Sequence, residues 1–124
     1  MLEHLYDPIR FLKDIPTTYN KELFILTVPY VSRSRVGLDY IRHGRANAIV
    51  NPQNTHIFKL SPYDWKLIFL HSGWEVLEER VYRQYPRKSI FGLTRPLWKK
   101  LDYEGFYGVI LRANSKWRNM YNGF

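Results

Sequence analysis

The chain has 124 residues, 45% hydrophobic and 24% charged, a globular composition with room for one domain. Cysteine is absent, which excludes disulfide frameworks, thiolate metal sites and cysteine nucleophiles. Lys and Arg number 19 against 11 Asp and Glu, a net charge of +8 that favours anionic partners without selecting one.

In chain order, the first predicted element is a helix. Asp7 suits its N-cap and Pro8 its first turn, where no amide donor is needed. Ile9, Leu12 and Ile15 share a face, with Phe11 beside them, and Pro16 is expected to end the helix. Glu22 to Val28 reads E-L-F-I-L-T-V, a continuous apolar run. Such a run predicts a strand buried on both faces, the pattern of a parallel sheet, and Pro29 stops it. From Tyr30 to Asn54 periodicity fails at Gly37, Gly44, Asn47, Asn51, Pro52 and Asn54. This predicts a long connection of the kind that forms lids and binding loops, with one helical turn around Leu38 to Arg42.

Ser61, Pro62 and Asp64 then give a capping box and a helix start. Trp65, Ile68 and Phe69 share its buried face, and Gly73 stops it in the left-handed conformation. Trp65 and Trp74 are expected in the core. Trp74 to Gln84 reads as a strand, followed by a connection with Pro86, Gly92 and Pro96 and a short helix near Leu97 to Leu101. Gly105 to Ala113 is the final strand, and Asn114 to Phe124 a loosely held tail. The expected domain is 1–113, with 114–124 as a polar and aromatic appendage.

Segments too short for the roughly 20 apolar residues of a membrane span argue against a membrane partner. Glu3, His4 and Asp7 near the start do not suit a signal peptide, and a cytoplasmic location is expected. Basic residues cluster at Arg33, Arg35, Arg42 and Arg45, and again at Arg80, Arg83, Arg87, Lys88, Arg95, Lys99 and Lys100. A solvated basic surface is the plain reading, and a single-stranded nucleic-acid footprint the alternative. His4, His43, His56 and His71 show no i, i+4 pair, so no metal site is expected. Glu78 and Glu79 are adjacent on a strand and should point to opposite faces, which is wrong for a catalytic carboxylate pair.

Several stretches together resemble one family. Leu2-Glu3-His4-Leu5-Tyr6-Asp7-Pro8, followed by Phe11-Leu12, resembles the segment that ends the fourth strand of class I S-adenosylmethionine-dependent methyltransferases. Phe24 to Pro29 with Tyr30 is similar to the fifth strand and its ending. His56-Ile57-Phe58, Ser61, Trp65, Leu67 and Ser72-Gly73-Trp74-Glu75-Val76 resemble the stretch leading into the sixth, and Phe106 to Leu111 suits the seventh. The glycine-rich cofactor turn that the family carries after its first strand has no counterpart here.

The resemblance implies an α/β fold. It would be a partial Rossmann-like methyltransferase sheet of C-terminal strands, five, seven and six in family terms, with flanking helices and a terminal antiparallel strand pair. It implies the C-terminal portion of such an enzyme, binding S-adenosylmethionine only when complemented by the missing half. Leu2, Glu3 and His4 would line the cofactor. Pro29, Tyr30, Arg33 and Arg35 would contact a small-molecule methyl acceptor, and His56 would serve as a general base. The strand at Glu22 to Val28 would keep an apolar free edge, so a homodimer or a complementing N-terminal chain is the expected partner. A non-catalytic protein-binding module of the same fold is the other alternative.

Overall fold

The structure is a computed structural model that describes residues 1–38, 44, 49–51, 55–83 and 104–124. The helical turn expected beyond Leu38, the helix near Leu97 to Leu101, His43, Trp98 and most of the second basic cluster lie outside those residues. Leu2–His4 forms a single 3-10 turn, closed by hydrogen bonds from His4 N to Met1 O and from Leu5 N to Leu2 O, both 3.1 Å. Helix α1 follows at Pro8–Tyr19, with the Asp7 side chain accepting from Arg10 N at 2.9 Å. Leu12 and Ile15 are buried along its inner face.

Pro16 does not end this helix. It sits inside it, and the helix closes at Asn20 in the left-handed conformation (φ 49°) that asparagine tolerates. Proline at 16 withdraws the donor that would have served the Leu12 carbonyl. Trp74 Nε1 donates to that oxygen instead, at 2.9 Å. A tertiary hydrogen bond thus replaces the missing helical one.

Strand β1 is Leu23–Tyr30, β2 is Arg35–Val36 and β3 is Phe58–Lys59. Helix α2 spans Pro62–His71, β4 Trp74–Arg83, β5 Gly105–Ala113 and the short helix α3 Ser115–Met120. β1, β5 and β4 form one sheet in that spatial order, and β2 pairs with β3 in a second. Among the described residues every paired neighbour is antiparallel. The last strand in sequence is therefore central, and β1 and β4 run in the same direction without pairing, their Phe24 and Trp74 rings 6.0 Å apart between centroids.

This overturns the partial Rossmann-like methyltransferase sheet, which rests on parallel strands. The misleading signal was the unbroken apolar run in β1. Phe24, Leu26, Val28 and Tyr30 face the helices, but Leu23 (59% exposed) and Ile25 (73%) stand on the other face, in solvent. The run was apolar on both sides and buried on one.

The core lies between the inner face of this sheet and helices α1 and α2. Trp65, Phe69, Trp74 and Leu12 are fully enclosed, packed with Leu2, Val28, Tyr107 and Leu111. Trp65 Nε1 donates to Pro29 O at 3.0 Å, and its ring stacks on Phe69 at 6.2 Å between centroids. Both indole N–H groups thus find buried acceptors, as buried tryptophans require.

Helix α2 begins with an extended form of the expected capping box. Ser61 Oγ accepts from Asp64 N at 3.2 Å. The Asp64 carboxylate does not reach back to Ser61 N. Ser34 Oγ stands between them, accepting from Ser61 N at 2.7 Å and donating to Asp64. A residue from the segment after β1 thereby completes the cap and fixes that segment to the helix. Gly73 follows α2 with φ 87°, as the stop required.

Between β4 and β5 a register shift at Val76/Glu78 sets Leu77 aside as an extra residue. Gly105 lies opposite Arg83, where a Cβ atom would stand 1.9 Å from Tyr82 O, so only glycine fits. The segment expected as a loose tail is held in place. Asn114 caps α3, and Lys13 Nζ donates to Phe124 O at 2.9 Å. Among the described residues no helix is long and apolar enough to cross a membrane.

Candidate functional site

Three polar side chains converge where the 3-10 turn meets the segment leading into β3. Leu2, 1% exposed, anchors the turn in the core and carries Glu3 and His4 with it. Glu3 is itself buried (8% exposed), and its Oε2 lies 2.7 Å from the Met1 amino nitrogen. Oε1 of the same carboxylate is 3.8 Å from His4 Nε2. His56 arrives from the opposite side, with Nε2 3.0 Å from His4 Nε2 and the two rings edge to face at 4.2 Å between centroids. One ligand atom from each of Glu3, His4 and His56 lies within 4.8 Å of the others.

The outer nitrogen of His4 fixes the chemistry of the inner one. His4 Nδ1 is 3.2 Å from the Thr55 carbonyl oxygen. A carbonyl only accepts, so Nδ1 carries the hydrogen of the neutral ring and Nε2 presents its lone pair to Glu3 and His56. A backbone carbonyl behind an imidazole is also the support that metal-binding histidines use to set their tautomer and orientation.

The donor set fits a small divalent metal ion. Nitrogen ligands at about 2.0–2.1 Å around a tetrahedral ion stand about 3.3 Å from each other. His4 Nε2 lies 3.0 Å from His56 Nε2 and 3.8 Å from Glu3 Oε1, to either side of that value, and the three ligand atoms lie within 4.8 Å of one another.

The structure sorts the residues named from sequence. Glu3, His4 and His56, 52 positions apart at their extremes in the His pair, come together. Spacing rules look for ligands on one helix or in one motif, and such a pair carries no such signal. Leu2 serves as an anchor. Pro29 and Tyr30 are buried, the first as acceptor for Trp65 and the second in the core. Arg33 is exposed, and Arg35 is half-buried in β2, opposite Lys59 of β3. They form no common pocket with the three converging residues in any described contact.

Away from this site, the electrostatics are structural. Glu79 receives the Tyr107 hydroxyl and lies 3.3 Å from Lys66 Nζ. The Tyr107 hydrogen bond holds the Glu79 carboxyl below its ordinary range, assisted by Lys66, against a smaller effect of burial. Burial first, and then Glu79, push the Tyr107 phenol upward. Glu75 is lowered by its hydrogen bonds from Arg112 and then Asn114. Glu78 pairs instead with Arg80 at 3.2 Å, on the other face of β4 from Glu79.

The expected S-adenosylmethionine site goes with the parallel sheet that would have carried it. An antiparallel sheet of this order offers no Rossmann-type turn for the cofactor, and the reading of the chain as part of a methyltransferase is corrected accordingly. No protein-family model matches the sequence, and no curated protein matches it.

Proposed function

We propose that this is a metal-binding domain in which Glu3, His4 and His56 hold one divalent transition-metal ion. The observation that supports it most strongly is the hydrogen bond between His4 Nδ1 and Thr55 O, which turns the Nε2 lone pair toward His56 and Glu3. In an ordinary pair of surface histidines nothing selects that tautomer. Two imidazoles and a carboxylate, with no thiolate, suit zinc first and ferrous iron second. Three protein ligands leave a coordination position open, at which the ion would act as a Lewis acid toward water or a substrate oxygen.

The test is a zinc titration of the chelator-stripped full chain in competition with a chromogenic chelator. One ion per chain is expected. His4→Ala and His56→Ala should each weaken binding by at least about tenfold with an unchanged far-ultraviolet circular dichroism spectrum. His56→Gln, closer in volume, guards against misfolding. Binding that is absent, or equally tight in all the histidine variants, rules the reading out.

A further inference from the structure

The edge of β1 has a donor and acceptor pattern that fits a second copy of the same chain. Ala113 N donates to Glu22 O at 2.8 Å, so with the β1–β5 register the even-numbered residues of β1 bond to β5. The odd-numbered residues point their N–H and C=O groups away from β5. Toward the end of the strand these outward groups are already used. Pro29 has no N–H and its carbonyl accepts from Trp65, and Val31 N donates to Leu60 O at 3.1 Å. At Leu23, Ile25 and Thr27 no backbone partner occurs among the described residues, and all three are exposed.

These three residues are self-complementary. A two-fold axis at Ile25 sets Ile25 opposite its own copy and Leu23 opposite Thr27. In that register every free N–H and C=O of the three is satisfied reciprocally, and the ladder stops where Pro29 begins. The two small sheets become one continuous sheet. Leu23 and Ile25 of each copy then meet on the outer face, beside Ile110 of β5.

β1 adds no like-charge repulsion of its own between two copies of a chain carrying +8. β1 contains no Lys, Arg, Asp or Glu, and Arg112, which flanks Leu23 on β5, is paired with Glu75. Natural edge strands are usually protected by a charged residue, and this one is not. The interface is small, which places it among weak dimers.

We infer that the chain forms a two-fold dimer by antiparallel pairing of β1 with β1 of a second copy, centred on Ile25. This is independent of the metal site. Sedimentation equilibrium of the full chain across a concentration series tests it. The mass should rise from one chain toward two, with a dissociation constant of about 10 μM to 1 mM. Ile25→Lys and Thr27→Pro should each weaken the dimer by at least about tenfold. Both sites are exposed, and the Thr27 N–H points away from β5, so neither change costs a bond of the sheet. Amide exchange at Ile25 and Thr27 should slow with concentration. A single-chain mass at 1 mM, or a dimer that survives both variants, overturns the inference.

Discussion

Trp74 donates its indole N–H to the carbonyl oxygen of Leu12, the acceptor that Pro16 leaves vacant one helical turn later. Both residues are fully buried, so the oxygen has no recourse to water. Trp74→Phe should therefore cost about 1–3 kcal/mol for the orphaned acceptor, beyond any loss of packing. Pro16→Ala restores an amide that can serve the same oxygen. The double variant should be more stable than the sum of the single changes predicts, by about 1 kcal/mol, in a urea-denaturation cycle. Strict additivity would show that the two donors do not compete for Leu12.

Glycine at two neighbouring positions in β5 should respond differently. At Gly105 the added Cβ meets the backbone oxygen of Tyr82, which cannot move without breaking the β4–β5 register. Gly105→Ala should destabilise by at least about 2 kcal/mol. At Gly108 the nearest atom is the ring of Tyr82 at 3.4 Å, the far end of an exposed side chain. Gly108→Ala should stay within about 1 kcal/mol of the parent. Thermal unfolding of the two variants side by side decides the matter.

Acid stability follows from Glu79 and Glu75. Their carboxyls titrate lower in the fold than in the unfolded chain. They therefore contribute stability above the ordinary carboxylate pKa, and lose it as the pH falls through their depressed values. Tyr107→Phe removes the largest cause of the Glu79 shift and should make stability less sensitive to pH in that acidic window. Tyr107 itself, raised in the fold, contributes stability that is fully present below pH 10 and lost on further rise. Denaturation midpoints between pH 3 and 7 provide the check, with an unchanged acid limb in the Phe variant as the adverse result.

Metal binding should appear as stability. An ion that binds only the folded chain, present at about 100 times its dissociation constant, adds about 2.7 kcal/mol. The melting temperature of the chelator-stripped chain should rise on adding zinc, and His56→Ala, binding at least about tenfold more weakly, should cut the rise to about half or less while leaving the metal-free melt close to the parent. A rise of equal size in that variant would place the ion elsewhere.

Local signals in the sequence were legible where the structure answers them locally. Asp7 with Pro8, Ser61 with Pro62 and Asp64, and the glycine stop at 73 each mark an element end in the expected place. Trp65 and Trp74 lie in the core as their spacing indicates. What the sequence concealed was settled by distant residues. The helix runs through Pro16 because a tryptophan from β4 supplies the missing donor. Strand direction is a property of the partner, and the apolar run in β1 reads the same beside a parallel or an antiparallel neighbour. His4 and His56 meet only because the 3-10 turn and β3 pack together, which no local pattern encodes.

The central position of β5 has a consequence for how the chain comes to exist. β1 and β4 have no hydrogen bonds to each other, and each depends on the strand made last. At about 5–20 residues per second, a ribosome takes on the order of ten seconds to pass from the first strand to the third partner of that sheet. For that interval the apolar residues of β1 have no sheet to join. A chain stopped before Gly105 therefore lacks the strand that joins the other two, and the inner apolar face of β1 has no sheet to complete it.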